Sequence, residues 1–360
     1  MNPLARTREV LESGIREGFH PGAQLAVFRH GQPLAELNLG LRDPASGTPM
    51  DSSVAMPWLS AGKPVTAIAL AALFEEGKAH PDQPVADWIP EFAADGKAIL
   101  TFSHLLLHTG GFRTADRIDP RLPTEIALAA ICATPLEPGW IPGTDAGYHR
   151  FASWTVLGEV VRRIAREPLS AFLQNRILGP LGIRDSWLVP EGAEAGRRRA
   201  LQHDTRSGKP VPDPELNDPV VLQCERPGSG FHGPARDLAR LYAAMLAPPE
   251  GWLRPESVRD AVARHRSGVR DRTFQAVVDM GRGFLLNTPG MPYGYGPHAG
   301  SDTFGHSGAQ TGCGFADPAY QLAVAWFCNG MPGEPGHQRR QLQVNQAIYE
   351  DLGLTRSGSK

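Results

Sequence analysis

Ser60 and Lys63 are the first residues in the chain whose types and spacing suggest chemistry, and they lie in the segment 58–66. Residues three apart share one face of a helix, so we expect the serine hydroxyl and the lysine amine to be within reach of each other. A serine hydroxyl needs an adjacent base to act as a nucleophile. Lysine is such a base only if burial or cationic neighbours lower its pKa. The apolar run 67–74 can supply that burial.

The same segment predicts the start of a helix that runs from Ser60 to about Glu76 and ends at Gly77. Pro64 fits within the first turn, where backbone N–H groups have no partner inside the helix. A helix N-terminus also directs N–H donors and a positive dipole end at a developing oxyanion. An isolated S-x-x-K spacing is usually solvated helix surface. The catalytic interpretation therefore depends on residues further along the chain.

The composition is that of a globular protein. The 360 residues are 41% hydrophobic and 21% charged, with 36 basic and 38 acidic side chains. A net charge of −2 offers no basic surface for nucleic acid and no polybasic membrane signal. No apolar run approaches the ~18 residues that span a bilayer. We therefore expect neither nucleic acid nor a membrane as a partner.

The cysteine pattern indicates free thiols. The four cysteines are far apart and include no C-x-x-C pair, which favours neither a zinc site nor a disulfide framework. They are Cys132, Cys224, Cys313 and Cys328. The N-terminal residues have no apolar signal region, although a mature form would also lack one. Buried thiols in a reducing compartment are the expectation, so we predict a cytoplasmic protein.

The order of predicted elements indicates an α+β fold. An amphipathic helix is predicted at 4–18, strands at 24–29 and 33–40, a helical middle region, C-terminal strands at 303–308 and 321–328, and a closing helix at 338–352. Strands at both ends of the chain around a helical middle are typical of α+β architectures.

Two further features leave alternatives open. His104 and His108 are four residues apart, a spacing that can bind a metal, but no acid lies between them and packed, hydrogen-bonded histidines are the alternative. Residues 186–227 have little periodicity and many prolines. Such a long loop is either a wall of a binding site or a surface insertion.

Six motifs, in chain order, resemble those of one superfamily. They are S-A-G-K at 60–63, L-L-L-H-T-G-G at 105–111, P-G-T at 142–144 followed by Tyr148, the segment 177–186, A-R-D-L-A-R at 235–240, and H-S-G at 306–308. With this set the chain resembles the serine β-lactamase and penicillin-binding-protein superfamily, in its class C-like esterase and D-peptidase branch.

The resemblance implies an antiparallel sheet made from the N- and C-terminal segments and flanked by helices, next to an all-helical region. It implies one catalytic domain over 1–360. The α/β part would cover about 1–57 and 233–360, and the helical part about 58–232. The active site is expected between these two parts.

The resemblance also implies roles for individual residues. Ser60 would be the nucleophile, and Lys63 and Tyr148 would handle its proton, with the phenol anionic or sharing its proton. An ordinary packed tyrosine is the alternative for Tyr148. His306 would line the site from an edge strand, unless it is only a hydrogen-bonded turn residue.

The turn after His306 is expected to complete the site. Gly308 ends the H-S-G motif, and the residues after it, Ala309 and Gln310, are expected substrate contacts. The backbone N–H of Ser60 and that of Ala309 or Gln310 would form the oxyanion hole.

Two positions depart from the superfamily pattern. Arg150 stands where the Y-x-N motif has asparagine, and arginine offers donors only. Arg150 either binds a substrate carboxylate or phosphate or turns away into a surface ion pair. His306 stands where many relatives have the lysine of K-T-G, which lowers the expectation of efficient β-lactamase activity.

Three functions are consistent with the sequence. The first is a serine hydrolase that acts on a small-molecule ester or amide through an acyl-enzyme. The second is a transacylase that passes the same acyl group to an amine or alcohol, for example in secondary metabolism. The third is a non-catalytic binding protein that keeps the fold. The expected partner is a small acyl substrate, this chemistry requires no metal or cofactor, and the sequence does not indicate an oligomeric state.

Overall fold

The computed structural model describes residues 3–192 and 198–355. The helices are α1 (Ala5–Arg16), α2 (Lys63–Glu75), α3 (Phe102–Leu106), α4 (Thr124–Cys132), α5 (Ala152–Ala165), α6 (Leu169–Phe172), α7 (Pro219–Gln223), α8 (Ala235–Leu246), α9 (Pro255–Val262) and α10 (Glu334–Asp351). Short 3-10 helices lie at Leu59–Gly62, Val85–Asp87, Pro90–Ala93, Lys97–Ile99, Arg113–Arg117, Gly179–Leu181 and Pro318–Tyr320, and a π-helix at Leu173–Leu178.

The strands are β1 (Gly22–Arg29), β2 (Gln32–Asp43), β3 (Thr48–Pro49), β4 (Met56–Pro57), β5 (His203–Asp204), β6 (Val211–Pro212), β7 (His232–Gly233), β8 (Arg270–Asp271), β9 (Ala276–Val277), β10 (Met280–Gly281), β11 (Phe284–Leu286), β12 (Phe304–Gly308), β13 (Gly312–Asp317), β14 (Leu322–Cys328) and β15 (Gly330–Met331). Eight of them form one antiparallel sheet in the order β10-β11-β12-β13-β14-β1-β2-β3. The predicted α+β fold, with a sheet from both ends of the chain, is confirmed.

The central strands are buried on both faces, as their continuous apolar sequences predict. In β14, Ala323, Ala325 and Phe327 face a core that includes α2, α5 and α8, and the alternate residues Val324 and Trp326 face a second core. The second core is closed by α1 and α10. This division follows from the two-residue side-chain repeat of a strand.

The middle of the chain is mainly helical, as predicted, but it also contains the short strands β5 and β6, which pair with each other, and β5 also pairs with β15. Helix α2 is buried around its whole circumference from Lys63 to Leu73, so it is a core helix rather than an amphipathic surface helix. Within residues 3–192 and 198–355, no helix combines the length and apolar composition that crossing a lipid bilayer requires.

Candidate active site

Ser60 lies in the 3-10 turn Leu59–Gly62, and Lys63 is the first residue of α2. The α-helix therefore starts three residues later than the sequence predicts. The tighter turn still brings the two side chains together, because residues three apart nearly eclipse in a 3-10 helix. The Lys63 Nζ atom lies 3.0 Å from Ser60 Oγ. Leu59 has a left-handed backbone with φ 49°, which is strain of the kind concentrated at functional sites.

Lys63 is fully buried, and burial lowers its pKa to about 7. The negative charge of Asp116 opposes this shift, and the positive charges of Arg226 and Arg150 add to it. The Lys63 amine also donates to the backbone oxygens of Arg150, at 2.9 Å, and Gly228, at 2.8 Å. A neutral amine has two N–H donors and one lone pair. If both donors are used by these carbonyls, the lone pair is left to accept from the Ser60 hydroxyl.

Tyr148 is buried beside this pair. Its ring lies 4.5 Å from the ring of His108 and 4.7 Å from that of Phe274, measured between centroids. The Lys63 Nζ atom lies 5.2 Å from the centroid of the Tyr148 ring. Burial raises the pKa of Tyr148, and the interaction with the Ser60 hydroxyl only partly opposes that rise. The raised pKa favours a neutral phenol over the anionic phenol that the sequence analysis allowed.

Asp271 fixes the backbone of Tyr148 although it lies on the distant strand β8. Its Oδ1 atom accepts the Tyr148 N–H at 3.1 Å. The same oxygen accepts the N–H groups of Thr273 and Phe274. The ring of Phe274 packs on the ring of Tyr148. Arg266 donates to the other carboxylate oxygen at 3.2 Å, and both partners of this ion pair are buried. A buried, fully bonded carboxylate of this kind makes the position of Tyr148 rigid.

Asp116 fixes the segment that follows Tyr148. Its carboxylate accepts the N–H groups of Arg150, Phe151 and Ala152, at 2.6, 2.9 and 2.8 Å, where α5 begins. These are N–H groups that a helix leaves without internal partners, and a carboxylate is favourable at this end of the helix dipole. The carbonyl of Arg150 then accepts from Lys63. The Arg150 side chain is exposed and, within the described part of the chain, makes no ion pair.

His306 lies on β12, with its ring centroid 5.9 Å from that of Tyr148. β12 is not an edge strand of the sheet, contrary to the expectation. Its pairing with β11, however, ends at Gly305, so His306 lies past the end of that neighbour. Burial and the nearby Lys63 lower the pKa of His306 to about 3, so the ring is neutral. It therefore offers no positive charge where relatives have lysine.

The turn between β12 and β13 carries Ala309 and Gln310, which line the same cleft as Ser60. Gln310 has a left-handed backbone, φ 51°, and is held by two hydrogen bonds. Its carbonyl accepts from Arg340 at 2.8 Å, and its side-chain oxygen accepts the Gly333 N–H at 2.8 Å. The turn is thus anchored to α10 and to the residue that precedes it.

Gly308 allows this turn to approach the Ser60 turn. A Cβ atom at residue 308 would lie 2.4 Å from the backbone oxygen of Trp58 and 2.6 Å from Thr311 Oγ1. Neither the backbone oxygen nor the strand can move without displacing the residues beside Ser60.

We therefore expect Gly308→Ala to lower kcat/KM by about 100-fold, since a displacement of roughly 1 Å in a catalytic group costs about that much. Steady-state kinetics with a nitrophenyl ester would measure the change. Gly294→Ala is the matched control, because the nearest atoms to its added Cβ lie 3.8 Å away. Equal activity of the two variants would contradict this account of the turn.

Ser60 and the turn at Ala309 and Gln310 open onto a cleft of about 460 Å³. It is lined by Leu59, Ser60, Asp116, Arg117, Ile118, Pro120, Arg150, Phe151, Asp213, Glu215, Leu216, Arg226, Ser229, Ala309, Gln310 and Met331. The described part of 186–227 therefore supplies a wall of the cleft, which favours the binding-site interpretation of that loop. Asp116, Asp271 and Arg226 were not identified from the sequence.

His104 and His108, whose spacing could bind a metal, are packed, hydrogen-bonded side chains in the structure. His108 is buried, and its Nδ1 atom accepts the His149 N–H at 3.0 Å. His104 Nδ1 accepts the Thr101 N–H at 3.2 Å and so caps α3. Among the described residues, no cluster of three or more metal-binding side chains occurs.

Comparisons with known proteins agree with this geometry. The family model described as Beta-lactamase matches residues 8–348. Esterase EstB of Burkholderia gladioli is 32% identical over 91% of this chain and 92% of its own length. A penicillin-binding-protein homologue from Caulobacter crescentus has a TM-score of 0.81 at 28% identity, covering 98% of each chain. A family VIII carboxylesterase has a TM-score of 0.81 at 25% identity, with the same coverage.

The fold and site are those of a serine enzyme with an S-x-x-K pair. The chain belongs to the Beta-lactamase family. It is a serine hydrolase of that family.

Proposed function

We propose that the protein hydrolyses small-molecule esters through an acyl-enzyme on Ser60, with Lys63 as the general base and Tyr148 as the proton relay to the leaving group. The observation that carries the proposal is the convergence of three groups: Lys63 Nζ lies 3.0 Å from Ser60 Oγ and 5.2 Å from the centroid of the Tyr148 ring. The similarity to esterase EstB supports an ester as the substrate class.

The first half of the reaction follows from the protonation states. The neutral Lys63 amine takes the Ser60 proton as Oγ attacks the ester carbonyl carbon. The resulting oxyanion accepts the backbone N–H of Ser60 and that of Ala309 or Gln310. Tyr148, a neutral phenol, gives its proton to the departing alkoxide and is reprotonated from the Lys63 ammonium. The acyl group remains on Ser60 and the alcohol leaves.

Water completes the cycle in the second half. The neutral Lys63 amine, or Tyr148 acting through it, removes a proton from water as it attacks the acyl-enzyme, and Ser60 regains its proton when the acid leaves. His306 packs near Tyr148 as a neutral group, so it provides packing and not charge. An amide substrate would need the same groups but a stronger proton donor at the leaving nitrogen.

Labelling of the intact protein tests this proposal. We expect a nitrophenyl phosphonate to add one phosphonyl group per chain, and peptide mapping to place it on Ser60. Hydrolysis of a nitrophenyl ester should proceed at the same site and should stop when labelling is complete. Labelling at another residue, or full ester turnover by the labelled protein, would contradict the assignment.

Transacylation is the second candidate, because the cleft of about 460 Å³ can hold an acceptor next to an acyl group. Water and an added amine or alcohol compete for one acyl-enzyme. The same assay with an added acceptor separates the two functions. Release of free acid in preference to the transferred product supports the hydrolase, and the reverse supports the transacylase.

A further inference from the structure

The cleft beside Ser60 contains three arginines, Arg117, Arg150 and Arg226. In the part of the chain that the structure describes, none of their guanidinium groups makes a hydrogen bond or an ion pair. Most other buried or half-buried arginines are paired; Arg266, for example, is bonded to Asp271. Free guanidinium groups gathered in one cleft are available to a ligand.

Two of the three acids in the cleft bond backbone N–H groups and, among the described residues, form no ion pair with these arginines. The Asp116 carboxylate accepts the three backbone N–H groups at the start of α5. Asp213 Oδ1 accepts the backbone N–H groups of Glu215 and Leu216, at 3.0 and 2.7 Å. The third acid, Glu215, is exposed and makes no ion pair with Arg226 among the described residues. Glu215 acts on Arg226 only through space.

Arg226 is the most buried of the three arginines. Its backbone neighbours are tied to α2, because Thr66 Oγ1 donates to the Pro227 carbonyl at 2.9 Å and Lys63 donates to the Gly228 carbonyl at 2.8 Å. The side chain is half-buried, and its Nε atom is buried without a hydrogen-bond partner. A buried charged donor without a partner is unfavourable, so an acceptor that enters with the substrate would satisfy it.

We propose that Arg226, assisted by Arg150, binds a carboxylate of the substrate, so that the enzyme prefers esters that carry an anionic group close to the scissile carbonyl. A planar guanidinium can donate two parallel N–H bonds to the two oxygens of a carboxylate. This inference rests on the proposed function and names the substrate class of the same site. His306 is neutral, so it offers no charge to a substrate carboxylate, and these arginines can supply one.

Matched pairs of esters test the inference. In the first pair the carboxylate is on the acyl side: mono-4-nitrophenyl glutarate against 4-nitrophenyl pentanoate. In the second pair it is on the alcohol side: 3-carboxy-4-nitrophenyl butanoate against 4-nitrophenyl butanoate. The quantity compared is the ratio of kcat/KM, charged over neutral, after correction for spontaneous hydrolysis. We expect the wild-type enzyme to prefer the charged ester in at least one pair.

The variants then locate the contact. Arg226→Gln should lower the ratio by about 10- to 100-fold in the preferred pair, as expected for the loss of a charge-assisted hydrogen bond, and Arg226→Lys should lower it less. Glu215→Gln should raise the ratio. Arg259→Gln is the control for a simple change in net charge, because Arg259 is exposed on α9 and pairs with Glu256. If a substitution acts only by shifting the pKa of Lys63, it changes kcat/KM equally for the charged and the neutral ester, so the ratio stays constant.

The outcomes separate the inference from the proposed function. If no neutral ester is hydrolysed at Ser60, the proposed function fails. If neutral esters are hydrolysed but Arg226→Gln leaves both ratios unchanged, only the carboxylate site is overturned. If Arg226→Gln does not fold, two measurements on the wild-type enzyme test the carboxylate site instead. The preference for the charged ester must decrease as ionic strength rises, and glutarate must inhibit more strongly than glutaramide. Absence of both effects overturns the inference.

Discussion

Replacing Ser60 by alanine is expected to lower kcat/KM for a nitrophenyl ester by at least about 10⁴-fold, because no acyl-enzyme can form without the hydroxyl. That factor corresponds to about 5.5 kcal/mol of lost transition-state stabilisation. The oxyanion donors and the cleft remain in the variant, so a small residual rate above that in water is expected. Stopped-flow and steady-state assays of nitrophenol release would measure both phases.

The control for this variant is Ser257→Ala, because Ser257 lies on α9 and outside the cleft that contains Ser60. It should retain wild-type kinetics. If Ser60→Ala hydrolyses the ester at a rate near that of the control, the nucleophile has been assigned wrongly. A wild-type protein that binds esters tightly but forms no acyl-enzyme would support the non-catalytic alternative.

Replacing Lys63 by methionine is expected to lower kcat by about 10³-fold, within the range typical of a general base. The pH profile gives the sharper result. In the proposed mechanism the neutral Lys63 amine is the base, so wild-type activity should be low below pH 7, rise with a midpoint near the lysine pKa of about 7, and level off above it. Lys63→Met should lose this rise, because the group that titrates is gone.

The same substitution should change stability in a pH-dependent way. In the unfolded chain the lysine pKa is 10.5, whereas in the folded protein it is about 7. Between these values the unfolded state binds more protons, so the contribution of Lys63 to stability rises with pH from about 7 to 10.5. The protonated, buried amine is destabilising below this window. Lys63→Met should therefore gain melting temperature relative to wild type more at pH 6 than at pH 9.

Lys78→Met is the matched control for both measurements, because Lys78 is exposed and pairs with Glu76 at the surface. It should keep the pH profile of the wild type and show no pH-dependent difference in melting temperature. A rise in activity near pH 7 that persists in Lys63→Met would show that another group is the base. Calorimetry at the two pH values would measure the stability change.

The two variants together separate the roles of the three central groups. Ser60→Ala removes the bond-forming atom, whereas Lys63→Met removes only the proton acceptor, so the first should be the more severe. In the proposed mechanism Tyr148, whose backbone is held by Asp271 and whose pKa is raised, is a neutral phenol that donates its proton to the leaving group. Asp116 acts further away, by holding the segment whose carbonyl bonds Lys63.

The sequence alone determined the features that depend on neighbours along the chain. The spacing of Ser60 and Lys63 places them on one turn in either a 3-10 or an α-helix, which is why the pair is close even though the helix begins later than predicted. The order of helices and strands predicted an α+β fold, and the family resemblance implied one sheet made from both ends of the chain. Motif order then indicated the family.

Only the tertiary structure decided which distant groups complete the site. Asp116 and Asp271 act by accepting backbone N–H groups, and such bonds place no requirement on residue types elsewhere, so they leave no pattern in the sequence. The pKa of Lys63 depends on burial and on Asp116, Arg226 and Arg150, which are all remote in sequence. Arg226 lines the same cleft as Ser60, and the two residues that follow it, Pro227 and Gly228, are bonded to α2. Burial and charge depend on distance in space, which a linear pattern does not contain.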